Sequence, residues 1–255
     1  MKKWIALLLA ALLTLSLAAC GSETEDSSET ESTPSSSQTS ETEEPVAEPS
    51  EPETSDVEEP VSEEPVEESP DTNMLVAYFS YAENAALPDG VDASATASIQ
   101  TWNGETTGNT GVVAAMIAEA TGADMFSIQT VEQYPDSYDA TIDQGQEERN
   151  ADARPELATH VENLDNYDVI FLGFPNWWGD MPMAMYSFLD EVDLSGKTIV
   201  PFVTSGGSGF SRTISTIESM ESGATVQEGL SISDSSATGA QEQVNEWLNG
   251  LGYAG

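Results

Sequence analysis

The sequence predicts an α/β fold in which helices cover both faces of a five-stranded parallel sheet. From residue 73 onward, short apolar runs alternate with segments whose apolar residues recur at helical spacing. Residues 168–174, with the sequence DVIFLGF, form a continuous apolar run, which is typical of a strand buried on both faces. Five strands alternating with five helices favour an open, doubly wound sheet.

The first half of this alternation starts with a strand at 74–80, the run MLVAYFS. A helix is predicted over 111–120, ending at Gly122, from the helical spacing of Val112, Val113, Met116 and Ile117. The second strand is expected at 123–131. The acidic stretch 137–150 is the second candidate helix.

The second half continues the alternation of strands and helices and begins with the third strand of the sheet, at 168–174. Apolar residues at helical spacing predict the remaining three helices at 183–192, 210–220 and 241–251. Residues 198–204 are predicted to form the fourth strand and residues 224–232 the fifth. Together these segments account for most of the chain after residue 73.

The N-terminus has the pattern of an export signal. Lys2 and Lys3 precede an apolar run over 4–17 that is too short for a comfortable membrane span. Residues 17–20, Leu-Ala-Ala-Cys, resemble the lipobox of bacterial lipoproteins. The resemblance implies a signal peptide at 1–19 and a mature chain that begins at Cys20, lipidated on its thiol and amino group. An ordinary signal peptide cut nearby and a buried helix are the alternatives.

Cys20 is the only cysteine, so an intramolecular disulfide is excluded, and lipidation of this thiol leaves none for catalysis. Residues 20–72 are predicted to be a disordered tether, because 21–72 contain nineteen acidic residues, no basic ones and no aromatic ones. A flexible chain of roughly 52 residues reaches on the order of 40 Å. A partner-binding acidic tail is the alternative.

The folded part, 73–255, is also acidic, with 27 acidic residues against four basic ones. This charge argues against nucleic-acid binding and against adsorption to anionic lipid. The membrane is therefore expected to be contacted through the lipid alone, on the extracytoplasmic side. Arg149 and Arg154 are expected to pair with neighbouring carboxylates, and His160, the only histidine, is expected at the surface rather than in catalysis.

Three loops follow the predicted strands at the sheet edge where doubly wound folds bind ligands. Ser80 and the Thr-Gly-Asn-Thr sequence at 107–110 offer hydroxyls and helix N–H groups, which can hold a phosphate without a cation. The loop at 175–180 offers aromatic surface, and the loop at 205–209 offers exposed backbone. A phosphate, a planar ring and its polar edge match these loops in that order.

At these loops the chain resembles the flavodoxin family, over the whole of 73–255. The resemblance implies the strand order 2-1-3-4-5, FMN as cofactor, and redox or electron transfer. It assigns the phosphate loop to Ser80, Thr107, Gly108, Asn109 and Thr110. It assigns the two ring loops to Pro175, Asn176, Trp177, Trp178, Gly179, Thr204, Ser205, Gly206, Gly207 and Gly209. No catalytic residue and no metal site is assigned.

The chain departs from the family between Ser80 and Thr107, where about 26 residues replace a short turn. Long loops in compact domains are often functional, and Trp102 in this insertion is a candidate to cover the cofactor. The leading hypothesis is an exported, lipid-anchored FMN protein, either an electron carrier or an oxidoreductase, whose redox partner is unknown. The alternatives are a non-redox ligand-binding lipoprotein on the same scaffold and a structural surface module.

Overall fold

The computed structural model describes residues 73–92 and 98–253. The predicted signal peptide at 1–19, the lipidated Cys20 and the acidic tether at 20–72 lie outside the described residues. Within the described part, no helix is both long enough and apolar enough to cross a membrane.

The strands of the described part confirm the predicted parallel sheet. They are β1 (Met74–Tyr78), β2 (Ile99–Trp102), β3 (Glu105–Gly108), β4 (Asp124–Ser127), β5 (Val169–Pro175), β6 (Thr198–Ser205), β7 (Thr225–Val226) and β8 (Leu230–Ser233). The main sheet has the order β4-β1-β5-β6, with β7 and β8 both beside β6 and every pairing parallel. In chain order this is the expected 2-1-3-4-5 arrangement.

The fifth position of the sheet is divided between two short strands, where the sequence predicts one strand at 224–232. β7 pairs with Thr198 and Ile199, and β8 pairs with the other end of β6 from Phe202 onward. Pro201 lies between these two pairings and has no N–H to donate. The interruption therefore coincides with a residue that weakens a continuous ladder.

The described helices are α1 (Tyr81–Asn84), α2 (Asn109–Thr121), α3 (Tyr138–Asn150), α4 (Met183–Glu191), α5 (Thr213–Met220) and α6 (Gln241–Leu251). All five predicted helices are present; α1 and two short 3-10 helices, Leu164–Asn166 and Asp234–Gly239, were not predicted. α2 begins two residues earlier than predicted, after the extended Gly108. It ends at Gly122, whose left-handed backbone lets its N–H donate to the Ala118 carbonyl at 2.8 Å.

Two apolar clusters fill the two faces of the sheet, as a doubly wound fold requires. Successive residues of β5 point to opposite faces, so Ile170 and Leu172 enter one cluster and Phe171 the other. The first cluster includes Phe188 of α4 and Ile217 of α5, and the second packs against α2 and α6.

The insertion between Ser80 and Thr107 contains α1 and a β-hairpin, with residues 93–97 outside the described part. β2 and β3 pair antiparallel across Asn103 and Gly104, which both have positive φ, as a tight hairpin turn requires. Thr107 and Gly108, predicted in a turn at the start of a helix, therefore end a strand instead. Trp102 packs against the apolar cluster on the α2 side and does not line the cavity described below.

Candidate functional site

A cavity of about 700 Å³ lies at the carboxyl ends of β1, β5, β6 and β8. This volume is in the range of small-molecule binding sites, and the position is the usual ligand crevice of such a sheet. Of the fifteen predicted cofactor-binding residues, seven line it: Asn109, Pro175, Asn176, Trp177, Trp178, Thr204 and Gly206. The structure thus brings parts of all three predicted loops to one cavity.

The other eight predicted residues do not line the cavity. Ser80, Thr107, Gly108 and Thr110 lie around the N-terminus of α2, where they form a cradle considered below. Gly179, Ser205, Gly207 and Gly209 belong to the two ring loops and shape their backbone. Gly179 and Gly207 have φ values of 76° and 119°, which side-chain-bearing residues rarely adopt.

The two adjacent tryptophans have different environments. The Trp177 ring packs edge-to-face on Phe79 and Tyr134, with centroid distances of 5.5 and 5.3 Å. Trp178 is 46% exposed, has a positive φ of 57°, and donates from Nε1 to the Ile142 carbonyl at 3.3 Å. Trp177 is therefore a fixed wall attached to the core, whereas Trp178 presents open aromatic surface.

Asn176 connects the two ring loops. Its Nδ2 donates to the Gly209 carbonyl at 2.7 Å and to Ser211 Oγ at 3.1 Å, while its Oδ1 accepts from the Gly179 N–H at 3.0 Å. Both ends of the amide are thus used within the protein. The side chain of Asn176 holds the loops in place.

Two buried hydroxyls organise the glycine-rich loop after β6. Ser205 Oγ accepts from the Gly207 and Gly209 N–H groups at 3.3 and 2.9 Å. The Thr204 hydroxyl lies 2.8 Å from the Thr110 hydroxyl, which joins this loop to the first turn of α2. The loop is consequently shaped before any ligand binds.

The cradle at the start of α2 is closely packed around glycine. An added Cβ at Gly108 would lie 2.1 Å from Ser80 Oγ, so only glycine fits there. Thr107 Oγ1 donates to Glu83 Oε1 at 2.5 Å, which places a carboxylate in the cradle. Ser80 Oγ and Glu83 Oε2 are buried and have no hydrogen-bond partner among the described residues.

Several lining residues were not predicted because they come from α1, the hairpin, α3 and the segment after β8. They are Tyr81, Ser98, Ile99, Gln100, Tyr138, Thr141, Ile142, Asp234 and Ser235. Gln100 Nε2 donates to Asn109 Oδ1 at 2.7 Å, which attaches the hairpin to α2. Tyr138 could have been found from the sequence, because it lies in the polar stretch that follows the predicted second strand, and segments that follow strands border the ligand crevice.

The electrostatic environment of the cavity is acidic. Burial raises the pKa of the Asp234 carboxyl above its usual value. No lysine or arginine is among the lining residues of the described chain. Arg149 lies 3.7 Å from Asp180, and Arg154 pairs with Asp152 and Asp190, which confirms the expected pairing with carboxylates. His160 is exposed, as expected, and its Nδ1 lies 2.7 Å from Glu191 Oε1.

The sequence of this domain matches a known protein family. Residues 103–251 match the family model described as Flavodoxin, which is more than half of the chain. The chain therefore belongs to the flavodoxin family. A search of curated proteins found no match to the chain.

Two solved structures have the same fold, and a third is reported beside them. A candidate flavoprotein from Bacteroides eggerthii DSM 20697 is 24% identical, with a TM-score of 0.54, and the match covers 71% of this chain and 98% of that one. A second, from Bacteroides uniformis ATCC 8492, is 25% identical, with a TM-score of 0.54 and coverages of 70% and 98%. A flavoprotein from Lactobacillus acidophilus NCFM, solved in complex with FMN, is 20% identical, with a TM-score of 0.47 and coverages of 67% and 99%.

Proposed function

We propose that this protein is an exported, lipid-anchored flavin protein that takes FMN and acts in redox or electron transfer. The observation that carries the proposal is the cavity at the carboxyl edge of the sheet, where half-exposed Trp178 and the Asn176-linked ring loops meet in a member of the flavodoxin family. The similarity to two candidate flavoproteins supports the same class.

The residues of the cavity fit the ring of a flavin. Trp178 and Tyr138 both line the cavity and are 46% and 58% exposed, so aromatic surface is available to stack on a planar ligand. Pro175 and Gly206 add backbone at the same edge. Ser80 Oγ does not line the cavity; it is buried in the cradle at the start of α2 without a partner among the described residues, and it fits a hydrogen-bonding group of the ligand there.

Bound flavin would supply the electron-transfer chemistry, and the protein would bind it, orient it and limit its contact with water. Trp177 and Asn176 suit these tasks, since the first is packed into the core and the second holds both ring loops. The acidic surroundings favour a low reduction potential, because reduction adds negative charge to the flavin. An electron carrier and an enzyme that reduces an acceptor would both use this site.

The proposed location rests on the N-terminal sequence. Residues 17–20 match the lipobox pattern, and the acidic segment that follows has the composition of a flexible spacer. Lipid on Cys20 would hold the domain at the membrane surface while the spacer lets it move over a distance on the order of 40 Å. This range suits exchange of electrons with membrane-bound partners.

The redox proposal is tested on the purified full-length protein. We expect a yellow protein whose flavin absorption is bleached by dithionite and returns in air. If the protein is purified without flavin, added flavin should restore this behaviour. A colourless protein that takes up no added flavin would contradict the proposal and leave the non-redox binding module as the better hypothesis.

A further inference from the structure

The carboxylate of Glu83 lies where the cradle would otherwise hold a ligand anion. Thr107 donates a hydrogen bond to Glu83 Oε1, and a Cβ added to Gly111 would lie 2.5 Å from this same oxygen. Gly111 is the third residue of α2. The carboxylate therefore lies against the first turn of the helix, where unpaired N–H groups and the helix dipole attract negative charge.

Glu83 is held in place because the next residue, Asn84, bonds to the segments that follow β1 and β4. The Asn84 side chain donates to the Ser80 and Ile128 carbonyls at 3.0 and 2.9 Å and accepts from the Thr130 N–H at 2.9 Å. Asn84 is only 1% exposed. These buried hydrogen bonds hold the neighbouring Glu83 beside the cradle.

The hydrogen bonding in the cradle is incomplete. Ser80 is 1% exposed, yet its hydroxyl has no partner among the described residues, and the same is true of Glu83 Oε2. Buried polar groups are almost always hydrogen-bonded, since an unsatisfied one costs free energy. The Ser80 hydroxyl therefore marks a place where a polar group of a ligand completes the hydrogen bonding, whereas Glu83 Oε2 only accepts and offers no hydrogen bond to a phosphate.

No basic side chain offsets the charge of Glu83. Within the described part of the chain, no cation lies within ion-pair distance of its carboxylate. A phosphate entering the cradle would add further negative charge to this site. Like charges in a partly buried site repel each other strongly, so either the phosphate or the carboxylate must be displaced.

We infer that Glu83 is an internal competitor for the phosphate of a bound flavin and so sets the preference between FMN and riboflavin. This inference rests on the proposed flavin function. The ring loops do not involve Glu83, so the competition acts on the phosphate alone. It makes the phosphate contribute little to affinity in the natural protein.

The test compares dissociation constants for FMN and riboflavin, measured by flavin fluorescence at one ionic strength, in four full-length proteins. These are the natural protein, Glu83→Gln, Glu83→Ala and the control Glu119→Gln. Gln keeps an acceptor for Thr107 while removing the charge. Glu119 is exposed on α2, eight residues beyond Gly111 and so about 12 Å along the helix, and its replacement changes the net charge equally.

We expect both Glu83 variants to raise the preference for FMN over riboflavin by at least about tenfold, with riboflavin affinity and the Glu119→Gln ratio unchanged. An unchanged ratio in Glu83→Gln and Glu83→Ala would overturn the inference while leaving flavin binding intact. An equal rise in Glu119→Gln would also overturn it, since net charge would then be the cause. Failure of all four proteins to bind either flavin would overturn the proposed function and the inference together.

Discussion

The Nδ2 atom of Asn176 donates a hydrogen bond to the carbonyl of Gly209 at 2.7 Å, across 33 residues of sequence. This bond joins the loop after β5 to the loop after β6. Because both loops border the cavity, the relative position of the two walls depends on this side chain.

Replacing Asn176 with Ala should loosen these walls. The variant loses the bonds to Gly209 and Gly179, so we expect flavin affinity to fall about tenfold or more and the free energy of unfolding to fall by about 1–2 kcal/mol. Urea unfolding and flavin titration of the same preparation check the two effects. Unchanged flavin affinity would show that the loops keep their geometry without Asn176.

The neighbouring tryptophans should respond differently to substitution. Trp177→Ala removes a ring packed on Phe79 and Tyr134, and we expect a loss of about 3–5 kcal/mol in stability. Trp178→Ala removes a half-exposed ring, so stability should change by about 0.5 kcal/mol or less while flavin affinity falls up to about tenfold. The opposite pattern, with Trp178 stabilising the fold and Trp177 dispensable, would contradict the assigned roles.

Tyr134 should make the fold sensitive to alkaline pH. Burial and Glu148 raise the pKa of its phenol far above the usual 10, and the hydroxyl donates to Glu148 Oε2 at 2.8 Å. A raised folded-state pKa contributes stability that is fully present below pH 10, the ordinary value, and is lost as pH rises toward the folded-state value.

Urea unfolding between pH 7 and pH 11 compares the natural protein with Tyr134→Phe. The variant should lose about 1 kcal/mol at pH 7, from the missing hydrogen bond, and should lose less stability above pH 10. Parallel decreases in both proteins over the alkaline range would assign that sensitivity to other groups. Tyr78 is the first candidate, because burial raises its pKa to about 12.

The acidic domain should control the reduction potential of bound flavin. Reduction adds negative charge, which 27 acidic residues against four basic ones disfavour. We expect a potential below that of the free flavin that rises with salt, as screening weakens the repulsion. Potentiometric titrations at low and high ionic strength measure this. A salt-independent potential close to the free value would contradict it.

Cys20 should determine membrane attachment. If the lipobox at 17–20 directs lipidation, Cys20→Ala should move the protein from the membrane fraction to the soluble fraction or leave it unprocessed. Fractionation of producing cells, with detection of the flavodoxin domain, follows the change. Retention of a normally processed Cys20→Ala protein in the membrane would count against the lipid anchor.

The central strands of the sheet were predictable because they are nearly continuous apolar runs, as in Val169–Pro175. Such runs are typical of strands that helices cover on both faces. Four of the five predicted helices followed from the helical spacing of their apolar residues, and α3 was predicted from an acidic polar stretch. The hairpin in the insertion was not predicted, because β2 and β3 have only four residues each and few apolar side chains. Their clearest sequence signal is the turn Asn103-Gly104, which was interpreted as part of one long loop.

The site was predictable where the residues follow a strand in sequence, as Trp178 and Thr204 do. The residues contributed by α1 and α3 reach the cavity only through tertiary packing, which a local pattern does not contain. Glu83, which lies in the cradle and not in the cavity, is positioned in the same way, because its contact with Thr107 spans 24 residues of an insertion. A carboxylate in a short polar segment has no sequence feature that distinguishes it from a solvated one.

The most direct test of the central claim is a fluorescence titration of riboflavin and of FMN with the purified natural protein. We expect quenching that saturates at one flavin per chain and weakens in Trp178→Ala, with circular dichroism used to check that this variant is folded. Absence of saturable quenching with both flavins, in a natural protein shown to be folded and free of bound flavin, would contradict the claim that this cavity is a flavin site.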